Sequence, residues 1–128
     1  MTSLLIALIL LSSIYPSAIL AGSPAATLVG TWIQEEMGPV LTHERVYRFN
    51  ADGTYVFMFT ARNTGSIDRR TLVRQSGKFR VSGDRLVIAP KGGTARTYLW
   101  RVEKDPYVGD LRLVLVLPNG TLDIYYRQ

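Results

Sequence analysis

Residues able to do chemistry are scarce in this chain of 128 residues. It has one histidine, His43, and no cysteine, so neither a catalytic triad nor a clustered metal site has an evident set of partners. Glu35 and Glu36 are adjacent, and adjacent residues of a strand point to opposite faces, which separates them as an acid–base pair. Gly92–Gly93 favours a hairpin turn over a phosphate cradle, because no helix follows it. We predict that the protein is not an enzyme and uses no metal or other cofactor.

The N-terminal segment has the layout of an export signal. Residues 1–21 contain no charged side chain, and the apolar run Leu4–Leu11 precedes small residues and a helix-breaking proline, Pro16. An apolar run of this length is too short to predict a membrane span. We therefore expect a signal peptide over residues 1–21, with cleavage near Ala21 or Ala25.

The rest of the chain is predicted to be one exported domain, periplasmic or secreted. Removal of the signal leaves about a hundred residues, enough for one core. We assign residues 22–27 to a short linker and residues 28–128 to the domain, and we expect no transmembrane span in the mature chain. Because the chain has no cysteine, no disulfide can stabilise the domain, which therefore depends on packing.

Basic residues are concentrated in one part of the sequence, and the net charge is +5. They are a candidate patch for contact with an anionic surface, such as lipid headgroups or lipopolysaccharide. The alternative is that they are ordinary solvent-facing strand positions. The expected export argues against nucleic acid as a partner. The patch consists of Arg69, Arg70, Arg74, Lys78, Arg80 and Arg85.

After Ala26 the sequence consists of short alternating apolar runs broken by turn signals, which indicates an all-β domain. The segment 50–54 predicts a three-residue hairpin loop, and Gly83–Asp84 predicts a two-residue loop. Both loops place apolar residues opposite apolar residues, as a specified register requires. The predicted pairs are Phe49 with Tyr55, Tyr47 with Phe57, Val81 with Leu86, and Phe79 with Ile88.

A third hairpin is predicted at Asn119–Gly120, with a type I′ turn. This register places Tyr126 inside the sheet and Arg127 outside. The segment 69–76 alternates weakly, which predicts an edge strand or a strand exposed on both faces. The predicted pairs of the third hairpin are Leu117 with Leu122, Leu115 with Ile124, and Leu113 with Tyr126.

A sheet of eight or nine short strands with no covering helix buries its apolar face by closing on itself. The predicted fold class is therefore all-β, a single antiparallel up-and-down β-barrel of about eight strands. The interior of such a barrel is either filled by side chains or holds one small ligand. The candidate ligand-binding residues, for which plain core is the alternative, are Tyr47, Tyr55, Phe57, Tyr98, Trp100 and Tyr126.

Three segments resemble the small bacterial lipocalin-like domains, which have calycin-type barrels. Leu28–Trp32 contains glycine, one residue, then tryptophan, as in the opening strand of that family. Tyr47–Tyr55 resembles its second hairpin, and Gly77–Ile88 resembles a later strand, Gly-Asp turn and strand. The resemblance covers residues 28–126 and implies an up-and-down barrel.

The resemblance also implies a structural motif at the base of the barrel. Gly30 and Trp32 would lie on the first strand, with Trp32 closing the base. An arginine on the last strand packs over this tryptophan in lipocalins, and Arg127 is the candidate. The register predicted for the third hairpin opposes this role, since it points Arg127 outward.

Two functions follow as hypotheses. The barrel binds a small apolar or amphipathic molecule without catalysis, or it is an envelope or secreted interaction protein with a filled interior, for example a protease-inhibitor-like barrel. The second hypothesis would use the segment Ala21–Thr27 and the loops 36–42 and 105–110, where Tyr107 is predicted to be exposed.

Overall fold

Eight antiparallel strands form a closed barrel in which each strand pairs with its neighbours in sequence. The computed structural model describes residues 23–128, so the predicted signal peptide over residues 1–21 lies outside the described residues. The strands are β1 (Gly30–Met37), β2 (Leu41–Phe49), β3 (Thr54–Asn63), β4 (Arg70–Ser82), β5 (Arg85–Pro90), β6 (Arg96–Lys104), β7 (Leu111–Val116) and β8 (Leu122–Arg127). The barrel closes between β1 and β8, where Trp32 lies opposite Arg127. The predicted all-β, up-and-down barrel is confirmed.

The first two predicted hairpins have the predicted register. Phe49 lies opposite Tyr55 in the β2–β3 hairpin, and Phe79 lies opposite Ile88 in the β4–β5 hairpin. The β2–β3 loop is closed by the Asn50 N–H, which donates to the Thr54 carbonyl at 2.9 Å. These two turns set the inward faces of four strands, as their residue types predict.

The third predicted hairpin is wrong by one residue. The Leu117 N–H donates to the Thr121 carbonyl at 2.9 Å, so the loop has three residues, with Gly120 at φ +83° in the left-handed region. A shift of one residue exchanges the two faces of β8. Tyr125, which is 2% exposed, therefore faces inward, whereas Tyr126 is 39% exposed and lies outside. The prediction of Tyr126 as an interior residue is thus incorrect.

The upper half of β4 extends beyond its partner β5. Pairing with β5 begins at Gly77, opposite Pro90, whereas pairing with β3 continues up to Arg70. The side chains of residues 70–76 are all exposed. This explains the weak alternation in the segment, which has a free edge on its β5 side.

One end of the barrel is closed by apolar packing. The segment 22–27 was predicted to be a linker, and its described part contains a 3₁₀ helix, Pro24–Thr27, followed by fully buried Leu28. The indole N–H of fully buried Trp32 donates to the Leu28 carbonyl at 2.8 Å. Large buried side chains fill this half of the barrel: Phe49, Tyr55, Phe79, Leu86 and Leu113.

Arg127 covers this base from the last strand. Its guanidinium carbon lies 5.5 Å from the centre of the Trp32 ring, and its Nη2 donates to the Val29 carbonyl at 3.0 Å. A Cβ atom at Gly30 would lie 3.4 Å from Nη2, so the glycine leaves room for the guanidinium. The expected outward position of Arg127 was wrong, because the corrected register puts it on the same face as Tyr125. Gly30, Trp32 and Arg127 meet at the base.

Within residues 23–128, no helix is both long enough and apolar enough to cross a membrane.

Candidate functional site

The end of the barrel opposite Trp32 contains a cavity of about 250 Å³. This is the liquid volume of about eight water molecules and lies just below the range typical of drug-sized ligands. It is the end at which β4 rises above β5. The cavity therefore has the size for a small organic molecule and opens where the sheet is least complete.

Aromatic side chains form the inner wall of the cavity. The Tyr47 ring lies 4.7 Å from the Phe57 ring and 5.3 Å from the Tyr125 ring, measured between centroids. These rings stand on the β2, β3 and β8 strands, two residues or more above the filled base. Apolar side chains complete the wall: Val73, Ile88, Pro90 and Leu117.

Tyrosine hydroxyls bring polarity into this apolar wall. The Tyr55 hydroxyl donates to Oε1 of Gln75 at 2.9 Å, and Gln75 lines the cavity. The hydroxyls of Tyr47 and Tyr125 make no hydrogen bond within residues 23–128 and are not among the buried unpaired polar atoms there, so both are open to the cavity that these residues line. Burial raises the pKa of both phenols, so they remain protonated donors at neutral pH. Hydroxyls that open into a cavity are free to bond to water or to a polar ligand there.

Three charged residues line the cavity: Arg45, Arg96 and Asp123. Gln34 lies between two of them, since it accepts from Nη1 of Arg45 at 3.1 Å and donates to Oδ1 of Asp123 at 3.1 Å. Arg45 also lies over the Phe59 ring, at 4.9 Å. The arrangement gives the cavity mouth both signs of charge, with one more cation than anion.

Of the six predicted ligand-binding residues, four lie at the cavity and two lie elsewhere. Tyr47, Phe57 and Tyr98 line the cavity, and Tyr55 reaches it through Gln75. The remaining two do not. The Trp100 indole donates to the Gly83 carbonyl at 3.1 Å, next to the β4–β5 turn of the closed end, and the Tyr126 hydroxyl donates to Asp105 outside the barrel at 2.9 Å.

Sequence reasoning missed the charged residues of the cavity. Each of them lies two positions before an inward tyrosine, and residues two apart on a strand share a face. The motif was present three times, once on each of three strands. It consists of Arg45 before Tyr47, Arg96 before Tyr98 and Asp123 before Tyr125.

The predicted basic patch is only partly assembled. Arg69 forms an ion pair with Glu44 at 3.1 Å. Arg70 lies opposite Ala61 of β3, at the cavity end of the barrel. The other four cations are exposed on the outer face of β4 and β5, and none has a carboxylate within 4.0 Å in the described part of the chain. These four, called the outer basic row below, are Arg74, Lys78, Arg80 and Arg85.

The loops proposed for protein contacts lie at opposite ends of the barrel. The β1–β2 turn is at the cavity end, whereas the β6–β7 loop, which contains Asp105, is at the closed end. Tyr107 in the latter loop is 94% exposed. The two loops therefore do not form one contact surface.

The fold and the site together define a closed eight-stranded barrel with a solid base and an amphipathic cavity at the other end. This architecture is compatible with the lipocalin-like resemblance of the sequence. No protein-family model, curated protein or solved structure matches the chain. Within residues 23–128, no group of three or more histidine, aspartate or glutamate side chains is arranged to hold a metal ion.

Proposed function

We propose that this protein is an exported lipocalin-like barrel that binds one small amphipathic molecule in the cavity, without catalysis. The observation that carries the proposal is the pair of tyrosine hydroxyls, Tyr47 and Tyr125, which open into the amphipathic cavity and make no hydrogen bond within the described chain. A ligand with an apolar body and polar groups would contact the rings and accept from these hydroxyls.

The distribution of packing supports a ligand in the upper half of the barrel rather than a fully filled interior. The base is occupied by buried side chains around Trp32, whereas the cavity begins above Tyr47 and Phe57. The interaction hypothesis receives less support, because the loops 36–42 and 105–110 lie at opposite ends of the barrel.

The experiment for this proposal combines native mass spectrometry with a variant that fills the cavity. The protein is purified gently from the cell envelope or medium, and an added mass that is lost on denaturation is expected. N-phenyl-1-naphthylamine, a neutral dye that fluoresces in apolar surroundings, serves as the titration probe. Val73→Trp, at an inward position of the cavity wall, should abolish dye binding while the barrel stays folded.

Leu72→Trp is the matched control for the filled cavity. Leu72 is a neighbouring residue of similar exposure at the irregularity of β4 and does not line the cavity. Dye binding should survive in this variant. Equal binding by both variants, together with a bare mass for the native protein, would refute a ligand site in the cavity.

A second candidate function is attachment to an anionic lipid surface through the outer basic row. Alternate residues on a strand are about 7 Å apart on one face, so Lys78 and Arg80 present adjacent charges to the same side. With Arg74 and Arg85 they form an exposed, unpaired positive surface. Such a surface would be attracted to anionic headgroups at low and physiological ionic strength.

Vesicle sedimentation tests this second candidate. Vesicles that contain phosphatidylglycerol should bind the protein, and binding should be lost near 1 M salt, where the screening length falls to about 3 Å. The double variant Lys78→Glu/Arg80→Glu should not bind. The double variant Arg48→Glu/Lys104→Glu makes the same change in net charge away from the row, and equal loss of binding there would exclude a role of the row.

A further inference from the structure

The cavity mouth has an excess of positive charge that the protein leaves uncompensated. Among the charged residues that line it, Asp123 is the only carboxylate, and its Oδ1 accepts from the neutral amide of Gln34. Arg45 has a carboxylate at the limit of contact, because Glu36 lies 4.0 Å away and is 75% exposed. Arg96 has no carboxylate within 4.0 Å in residues 23–128.

Arg96 shares the cavity side of β6 with an aromatic residue. It lies two residues before Tyr98 on β6, so both side chains project to the cavity side of the strand. Arg96 is exposed, and the neighbouring Tyr98 phenol raises the pKa of its guanidinium. A permanently charged group is thus held beside the cavity, with donors left for a ligand.

Two phenols that line the same cavity as Arg96 are suited to the same kind of head group. The Tyr47 and Tyr125 phenols are donors without partners in the described chain. A guanidinium together with phenol donors binds a planar acceptor with two oxygens, and the pairing with a carboxylate is the strong, charge-assisted case. The apolar side chains Phe57, Val73, Ile88 and Leu117 then face the body of the molecule.

We infer that the ligand is a small organic acid with a compact apolar or aromatic body, whose carboxylate contacts Arg96 at the mouth of the cavity. This inference rests on the proposed binding function and adds the chemical class of the ligand. The volume of about 250 Å³ restricts the enclosed part of the body to about the size of one or two fused rings or a short chain.

Calorimetry with a matched pair of probes tests the inference. 2-Naphthoate and its uncharged amide, 2-naphthamide, share the same ring system and differ in the charge of the head group. The naphthoate should bind about tenfold more tightly, as expected for a hydrogen bond to a charged group. Arg96→Gln should remove this difference, and Arg96→Lys should retain part of it.

Arg48→Gln is the matched control for the loss of one positive charge. Arg48 lies on the outer face of β2, opposite Val56, and forms no ion pair in the described part of the chain. Preference for the naphthoate should persist in this variant. Equal weakening by Arg48→Gln and Arg96→Gln would overturn the inference, because it would mean that only overall charge matters.

The outcomes also separate this inference from the proposed function. If both probes bind equally well and Val73→Trp blocks both, the cavity binds ligands and the acid preference is wrong. If neither probe binds and native mass spectrometry shows no added mass, both the binding function and the acid preference are refuted. Thermal unfolding of each variant verifies that the barrel remains folded.

Discussion

The side chain of Arg127 shows how one residue can connect two ends of the chain. Its guanidinium lies over the Trp32 ring and donates to the Val29 carbonyl, so it joins β8 to the segment that precedes β1. The guanidinium is permanently charged, and it is attracted both by the face of the indole ring and by the carbonyl oxygen. The contact secures the seam at which the barrel closes.

Replacement of Arg127 by alanine should therefore lower the free energy of unfolding by about 1 kcal/mol, the value expected for an exposed cation–π contact. Urea unfolding followed by tryptophan fluorescence measures the change. Arg85→Ala removes an exposed arginine that has no ion pair among the described residues, and it should change stability very little. A loss of stability as large for Arg85→Ala as for Arg127→Ala would contradict a specific role at the seam.

Asp105 organises the β6–β7 loop at the closed end. Its Oδ1 accepts from the Tyr107 N–H at 2.7 Å and from the Val108 N–H at 3.2 Å, and its Oδ2 accepts from the Tyr126 hydroxyl at 2.9 Å. The backbone hydrogen bond from Tyr107 and the hydrogen bond from Tyr126 lower the pKa of the Asp105 carboxyl, and so does the nearby Arg112. The ionised form thus stabilises the folded loop.

Asp105→Asn should destabilise the protein at neutral pH, with an effect that depends on pH. A lowered pKa means that the contribution is complete above the ordinary value of 3.8 and is lost as the pH falls through the folded-state pKa. Melting curves from neutral pH down to about pH 2 should show the wild-type and variant curves converging in acid. Asp110→Asn, in the same loop, serves as control, and a constant difference at all pH values would contradict this assignment.

At the scale of elements, the β7–β8 turn decides which face of β8 is buried. The three-residue loop requires Gly120 at φ +83°, in the left-handed region. A Cβ atom there would meet nothing within 4 Å, so substitution changes only the backbone energy. Substitution of Gly120 therefore tests the left-handed conformation of this turn.

Gly120→Ala should cost about 1 kcal/mol of stability, because the left-handed conformation is unfavourable for alanine. Gly120→Asn should cost less, because asparagine adopts this conformation more readily. Chemical denaturation of the two variants measures the difference. An alanine variant as stable as the wild type would argue against a left-handed conformation at Gly120.

At the scale of the whole molecule, the barrel is divided into a solid base and an open upper half. Trp100 belongs to the base, where it packs against the core and donates to Gly83, whereas Tyr125 projects its hydroxyl toward the cavity. The two aromatic residues therefore have different roles even though both point inward. Loss of the Trp100 side chain should therefore lower stability, whereas loss of the Tyr125 hydroxyl should weaken ligand binding.

Trp100→Ala should lower the free energy of unfolding by about 3 kcal/mol, the lower end of the range for a large aromatic side chain. Tyr125→Phe should change stability by less than about 0.5 kcal/mol, because its hydroxyl makes no hydrogen bond within residues 23–128, and should weaken ligand binding instead. Urea unfolding and titration with N-phenyl-1-naphthylamine provide the two readouts. A large loss of stability for Tyr125→Phe would place its hydroxyl in the structural core.

Much of the fold was predictable because local residue types determine local geometry. The β2–β3 and β4–β5 loops specify their registers, and the alternation around them selects the inward residues. The motif of Gly30 and Trp32 correctly indicated the base. The candidate site was predictable in part, since Tyr47, Phe57 and Tyr98 line the cavity.

The remaining features depend on contacts between distant parts of the chain. Tyr125 and Tyr126 are both aromatic, so the pattern of β8 alone does not distinguish its two faces, and the correct face is decided by pairing with β7 and β1. The basic patch predicted from residues close in sequence is larger than the one in the structure, because Arg69 forms an ion pair with Glu44 of another strand.

The sequence by itself determined the all-β class, the strands and the registers of two hairpins, because turn chemistry and the two-residue period act over a few residues. Only the tertiary structure decided the inward face of β8 and the placement of Arg127 over Trp32. It also decided the meeting of Arg45, Arg96 and Asp123 at one cavity. Closure of the sheet creates these neighbours, since β1 and β8 are the first and last strands and no local pattern relates their residues.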